Sequence, residues 1–228
     1  MRERRTRKPL SGITPSATAL RVTLPKVYAI VDAARLAPES LPEVARTLLD
    51  AGIRLIQYRD KRATSREMHE ASRVIAEIVQ AAGGIFIVND RADVAWAAGA
   101  DGVHLGQDDL PVGKARRLLP AGKIIGLSTH SLAQVEEAER APVDYVAFGP
   151  IFATRSKERP DPVVGLPGLR AAREATRKPL VAIGGITLEN AREAMESGAD
   201  SLAVIDGLLG AADLSGRAQQ FLQAVGDR

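Results

Sequence analysis

Five side chains in this sequence have the types and spacing to gather an anion and a hard cation in one place. Arg59, Lys61 and Lys157 are the positive members; Asp90 and Asp109 are the negative ones. Arg59 and Lys61 stand one residue apart in QYRDK, the separation that sends two side chains the same way where extended backbone continues. Asp90 closes IVND and Asp109 closes GQDD, each just past a short apolar run. Carboxylate oxygens suit magnesium and clustered cations suit phosphate oxygens, so the set points to a magnesium diphosphate. Surface ion pairing would account for any one of the five taken singly. Gly184-Gly185 and the end of the last apolar run suggest a second phosphate, held on backbone N–H groups. A tight turn without ligand would use the same two glycines.

These residues need a scaffold that delivers them to one face. Apolar runs bounded by turn residues recur at 27–31, 53–57, 85–88, 102–105, 124–127, 145–148, 180–183 and 201–205. Helical patterns lie between them, including PEVARTLLDAG, SREMHEASRVIAEIVQAAG, SLAQVEEAER and LENAREAMESG, several ending at a glycine suited to a left-handed cap. The even-numbered runs echo one another as LLDAGIRLIQ, AAGADGVHL, RAPVDYVAF and ESGADSLAVI, about 45 to 55 residues apart. An open sheet would break that echo at a topological switch, so the pattern predicts a closed (β/α)8 TIM barrel, an α/β fold in one domain. In such a barrel the loops after the strands' carboxyl ends carry the chemistry. QYRDK, ND, GQDD, STH, GPIFATRSK, GG and VID all fall there. Asp93 and Asp108 read as residues that start helices and turns.

Composition agrees with this scaffold. The chain has 228 residues, 45% hydrophobic but only 4% aromatic, so its core rests on Ala, Val, Ile and Leu, as in parallel strands covered by helices. There is no cysteine, which excludes disulfides and thiolate metal sites. No apolar h-region follows the basic start and nowhere do about 18 apolar residues run together. A cytoplasmic protein with no membrane contact is expected. Of the +3 net charge, residues 1–10 hold five basic groups and one acid, leaving 26 basic against 27 acidic elsewhere. A head of that kind also suits nucleic acid, but a disordered extension over residues 1–24, ahead of a catalytic barrel over 25–228, is the preferred reading.

The quoted motifs, together with VNDRADVA, GLSTHS, DYVAFGPIFATRSK, PVVGL and AIGGI, resemble the thiamine phosphate synthase family from VYAIVD to VIDGLLGA. The resemblance implies a transferase that joins an aminopyrimidine methyl diphosphate to a thiazole ethyl phosphate, with Mg2+ as cofactor. It implies that Gln57, Arg59, Lys61, Asn89, Ser128 and Lys157 bind the pyrimidine substrate, Arg59, Lys61, Ser128 and Lys157 being the catalytic members. Asp90 and Asp109 would hold the metal, and Thr154, Ser156, Gly185, Ile205 and Asp206 would meet the thiazole phosphate. Asp206 departs from the family, which usually has Ser there, and its carboxylate would repel a phosphate. Either it turns outward or the phosphate leans on the Gly185 backbone and nearby cations.

Two other readings stand beside this one. A related thiazole tautomerase uses a histidine in the loop where His130 lies, but would not need the paired acids and the cation cluster. A non-catalytic barrel that senses a phosphorylated ligand is the alternative of another class. The partners are small phosphorylated molecules, and the sequence is compatible with a homo-oligomer. His69 is expected on a solvated helix face, His104 as strand packing, and Trp96 as packing for the short helix after the third strand. Loop 150–165, rich in proline and charge, is expected to close over the substrates.

Overall fold

The computed structural model describes residues 22–154 and 161–226. Eight parallel strands close a barrel in chain order, each hydrogen-bonded to its sequence neighbours and the last to the first. In order, the elements are β1 (Val27–Asp32), α1 (Leu41–Asp50), β2 (Leu55–Arg59), α2 (Ser65–Ala81), β3 (Ile85–Asn89), α3 (Ala92–Ala97), β4 (Gly102–Leu105) and α4 (Val112–Leu118). They continue with β5 (Ile124–Thr129), α5 (Leu132–Arg140), β6 (Tyr145–Phe148), α6 (Gly165–Ala175), β7 (Leu180–Ala182), α7 (Ala191–Glu196) and β8 (Ser201–Val204). A short α8 (Asp206–Leu209) and a longer α9 (Leu214–Ala224) finish the described chain.

Alternation along each strand divides the apolar residues into two clusters. Val27, Ala29 and Val31 of β1 face the helices, while Tyr28 joins Leu55, Ile87, Tyr145, Ala147 and Val181 inside the barrel. Val22 and Leu24 also pack against that interior, so the last residues assigned to the extension belong to the barrel; residues 1–21 lie outside the described residues. The helices are built as their sequences require. Thr64 and Glu67 form a reciprocal capping box at the start of α2. Asp213 caps α9 by accepting from Gly216 N at 2.9 Å.

The echoed motifs have a structural explanation at the opposite end from the chemistry. The aspartate in GADGV, PVDYV and GADSL accepts a backbone N–H from the first or second residue of the strand before it. Asp101 takes Phe86 N at 2.9 Å, Asp144 takes Ile125 N at 2.7 Å and Asp200 takes Leu180 N at 2.8 Å. Each also donates its own N–H to the preceding strand or to the residue it capped, at Phe86 O, Ile125 O and Leu180 O. The repeat therefore staples strand starts, satisfying buried N–H groups at the amino-terminal rim.

The structure departs from the sequence expectations at several points. β2 starts at Leu55 rather than Ile53 and runs on to Arg59. The helix in LENAREAMESG is confined to Ala191–Glu196. Trp96 does not pack α3: Ala92, Val94 and Ala95 form that short helix's buried face, and Trp96 is left 57% exposed. His69 agrees with expectation, part-exposed on α2 and away from the cavity at the strands' carboxyl ends. Among the described residues no helix is long and apolar enough to cross a membrane.

Candidate active site

The carboxyl ends of the strands open into a cavity of about 760 Å3. QYRDK enters it as alternation dictates. Gln57, Arg59 and Lys61 line the cavity, while Asp60 turns back to accept Arg62 N at 2.8 Å and Ala63 N at 3.0 Å, closing the turn into α2. Arg59 Nη1 donates to Asp32 Oδ2 at 2.5 Å, and Lys61 Nζ pairs with Asp90 Oδ2. Asp32 is the last residue of β1 and almost fully buried. The ion pair therefore fixes the guanidinium at the rim with donors to spare.

Asp90 is the one non-glycine among the described residues at positive φ, at 61°. Aspartate is among the few residues that tolerate this region, and strained backbone of this kind gathers at functional sites. Its N–H donates to His104 O at 2.7 Å, which pins the turn at the end of β3. Asp109, after β4, accepts from Gly106 N at 2.6 Å. Its carboxyl is pushed above the ordinary value by burial first and by the neighbouring Asp90 carboxylate next; the Gly106 N–H and Lys61 oppose the shift. Two crowded carboxylates at a strained turn carry negative charge that a cation would relieve.

Beneath this rim lies a polar layer. Asn89 is buried and its Nδ2 has no acceptor from the protein among the described residues, a donor left for whatever fills the cavity. His104 points into the barrel, not toward the helices. Its Nδ1 lies 2.8 Å from Tyr145 Oη and its Nε2 2.8 Å from Ser128 Oγ. His130, after β5, is held by Gly149 O at 2.6 Å from Nδ1 and lies 3.5 Å from Asp161 through Nε2.

The far side of the mouth is built from backbone. Ile151 N and Phe152 N donate to Ile183 O and Gly184 O at 2.9 and 3.0 Å, so the loops after β6 and β7 run side by side. That contact demands the paired glycines. Gly184 and Gly185 have φ of 89° and 67°, and a Cβ on Gly185 would lie 2.5 Å from Ala153 O. Thr154, Gly185, Ile205 and Asp206 all reach the cavity. Asp206 is half exposed at the cavity edge, and it is paired. Arg35, from the loop after β1, grips it with Nε 3.0 Å from Oδ1 and Nη2 3.1 Å from Oδ2.

Of the residues picked from sequence, Gln57, Arg59, Lys61, Asn89, Asp90, Asp109, Ser128, Thr154, Gly185, Ile205 and Asp206 line one cavity. Lys157 and Ser156 lie outside the described residues, as does the middle of the loop from 150 to 165. The sequence reading passed over Asp32 and Arg35. The signal for Asp32 was present, because VYAIVD ends an apolar run with aspartate just as IVND does. Arg35 carries no such mark, since its role follows from β1 and β8 being neighbours in the closed barrel.

The donor set fits magnesium. No three His, Asp or Glu side chains among the described residues are grouped to hold an ion by themselves. Mg2+ commonly takes one or two carboxylates and completes its shell with water and phosphate oxygens, which Asp90 and Asp109 beside Arg59 and Lys61 would allow.

Fold and mouth together define a (β/α)8 barrel whose rim sets Arg59 and Lys61 beside Asp90 and Asp109. Residues 27–208 match the family described as thiamine monophosphate synthase, and the chain belongs to that family. It is 49% identical over 206 residues to a thiamine-phosphate synthase of Koribacter versatilis, covering 89% of this chain and 96% of that protein. It is 47% identical over 183 residues to one from Methanoculleus marisnigri, covering 80% and 87%. Among solved structures, thiamine phosphate pyrophosphorylase from Pyrococcus furiosus superposes with a TM-score of 0.80 at 39% identity, covering 88% of this chain and 95% of that one.

Proposed function

We propose that this protein is a magnesium-dependent thiamine-phosphate synthase, joining an aminopyrimidine methyl diphosphate to a thiazole ethyl phosphate to give thiamine phosphate and diphosphate. One observation carries the reading: Asp90, strained at φ 61° and crowding Asp109, shares a rim with Arg59 and Lys61. That is a receptacle for a metal-bound diphosphate. Family membership supplies the substrates.

The chemistry needs no nucleophilic side chain. The bond from the methylene carbon to the bridging oxygen breaks, and its electron pair leaves with the diphosphate. The resulting cation is delocalised into the aminopyrimidine. The thiazole nitrogen then gives its lone pair to the methylene carbon, forming the C–N bond and the thiazolium. Magnesium held by Asp90 and Asp109 would supply Lewis-acid stabilisation of the departing diphosphate. Arg59 and Lys61, with Lys157 assigned by resemblance, neutralise the remaining oxyanions. Gln57, Asn89 and Ser128 orient the pyrimidine end. Thr154, Gly185 and the Ile205–Asp206 turn receive the thiazole phosphate, with Ser156 assigned by resemblance, so that nitrogen and carbon meet at bonding distance.

The test is incubation of the protein with both phosphorylated heterocycles and Mg2+. Thiamine phosphate and diphosphate should appear in equal amounts. Their absence, with isomerisation of the thiazole moiety instead, would favour the tautomerase reading that rests on His130. The crowded acids beside two cations speak for the transferase, because a tautomerase has no diphosphate to stabilise.

A further inference from the structure

We propose that the barrel interior holds a one-directional hydrogen-bond chain from Gln57 to Ser128, which makes Ser128 a donor toward the cavity, with Tyr145 and His104 as its positioning residues. The direction of the chain stands on the interior alone; the identity of what Ser128 meets, a diphosphate oxygen, rests on the function proposed above.

Five side chains from five strands form the chain. Gln57 Nε2 donates to Tyr28 Oη at 2.7 Å, Tyr28 Oη lies 3.0 Å from Tyr145 Oη, and Tyr145 Oη lies 2.8 Å from His104 Nδ1. His104 Nε2 then lies 2.8 Å from Ser128 Oγ. Tyr28 and Tyr145 are fully buried, and Gln57 and His104 nearly so. The layer was made to fit. Residue 126 is glycine because a Cβ there would lie 2.0 Å from Cζ of Tyr145, whose ring stacks on His104 at 5.5 Å.

Hydrogen accounting gives the direction. Burial raises both phenols, so each keeps its single hydrogen. Among the described residues Tyr28 Oη meets only Gln57 Nε2, which donates, and Tyr145 Oη. The Tyr28 hydrogen therefore goes to Tyr145, and the Tyr145 hydrogen goes to His104 Nδ1. An imidazole that accepts at Nδ1 carries its proton on Nε2 and donates to Ser128 Oγ. Ser128 Oγ, already accepting, turns its own hydrogen to the cavity that it lines. Running the chain backward would strand the Tyr28 hydrogen in the barrel with no acceptor. Ser128 is thus set to bind an oxyanion rather than to act as a base.

The test reads the histidine tautomer directly. With 15N-histidine labelling, His104 is assigned by the signals missing from His104→Gln. In the ligand-free protein it should show a protonated Nε2 and a bare Nδ1. Tyr28→Phe, which leaves the Tyr145 hydroxyl in place, should keep that tautomer, whereas Tyr145→Phe should lose it; a purely structural role would disturb both alike. With Mg2+ and inorganic pyrophosphate as the probe, Ser128→Ala and Tyr145→Phe should each weaken binding about tenfold. The double variant should be no weaker than Ser128→Ala alone. A protonated Nδ1 on His104 in the unaltered protein, or additive losses in the double variant, would overturn the proposal. Failure of the unaltered protein to bind pyrophosphate would instead overturn the diphosphate reading, and the tautomer result would still decide the chain's direction.

Discussion

The ends of β2 to β4 and the ends of β6 to β8 face each other across one mouth and prepare for anions by opposite means. On the first side the groups are side chains held under electrostatic tension: Arg59 against Asp32, Lys61 against Asp90, and Asp90 against Asp109. On the second side the surface is mainly backbone, Gly184 pressed against Pro150 and Gly185 against Phe152 and Ala153, with the Arg35–Asp206 pair at the edge. A departing diphosphate changes its charge distribution during reaction and needs fixed, strong charges; a phosphate that only anchors its substrate is served by shape. The two sides should therefore fail differently when damaged.

The largest effect is expected on the charged side. Asp90→Asn, which still tolerates positive φ, and Asp109→Asn should each lower turnover roughly a hundredfold or more with little change in thermal stability. Steady-state rates at saturating Mg2+ and a melting curve check this, and near-normal turnover in either variant would remove that residue from the site. Gly185→Ala should damage the other side through shape. A left-handed φ and a 2.5 Å approach to Ala153 O should cost about 1–3 kcal/mol of stability. They should also raise KM for the thiazole phosphate more than KM for the pyrimidine diphosphate.

Smaller effects sharpen the contrast. Arg35→Ala leaves the Asp206 carboxylate without its partner and should raise KM for the thiazole phosphate roughly two- to fivefold, as suits an exposed pair. Adding Asp206→Ser should reverse that loss, and persistence of the loss would show that Arg35 acts on the ligand itself. The smallest effect is on stability against pH. Because Asp109 is raised in the folded protein, its contribution to stability is fully present below the ordinary carboxylate value. It is lost as pH rises through the raised one. In metal-free protein, Asp109→Asn should therefore gain in melting temperature relative to the unaltered chain as pH climbs through that window, then hold steady. A constant difference would mean that neither burial nor Asp90 raises the Asp109 carboxyl in the folded protein.

Much of this was legible in the sequence because strand alternation and barrel closure are short-range rules applied repeatedly. The spacing in QYRDK already sent Arg59 and Lys61 to one side, and the runs ending in Asn89-Asp90 and Gly106-Gln107-Asp108-Asp109 placed the acids at a rim. Partnerships across the barrel were not legible. Tyr28, Gln57, His104, Ser128 and Tyr145 are scattered over 118 positions of chain, counting both ends, and meet only because β1, β2, β4, β5 and β6 point inward together. Arg35 and Asp206 are separated by 171 residues and joined by the closure of β8 on β1. His104 thus read as packing from sequence, though its surroundings make it polar machinery. The echo of the aspartate-bearing motifs pointed to the barrel's repeat, while the shared task of Asp101, Asp144 and Asp200, stapling strand starts at the amino-terminal rim, depends on pairing between successive strands.

Calorimetric titration of inorganic pyrophosphate, with and without Mg2+, into the unaltered protein and the Asp90→Asn/Asp109→Asn double variant tests the central claim most directly. The account predicts tight binding that requires the metal in the unaltered protein, and weak binding indifferent to it in the double variant. Equal affinity in the two proteins, or binding in the unaltered protein that ignores Mg2+, would contradict it.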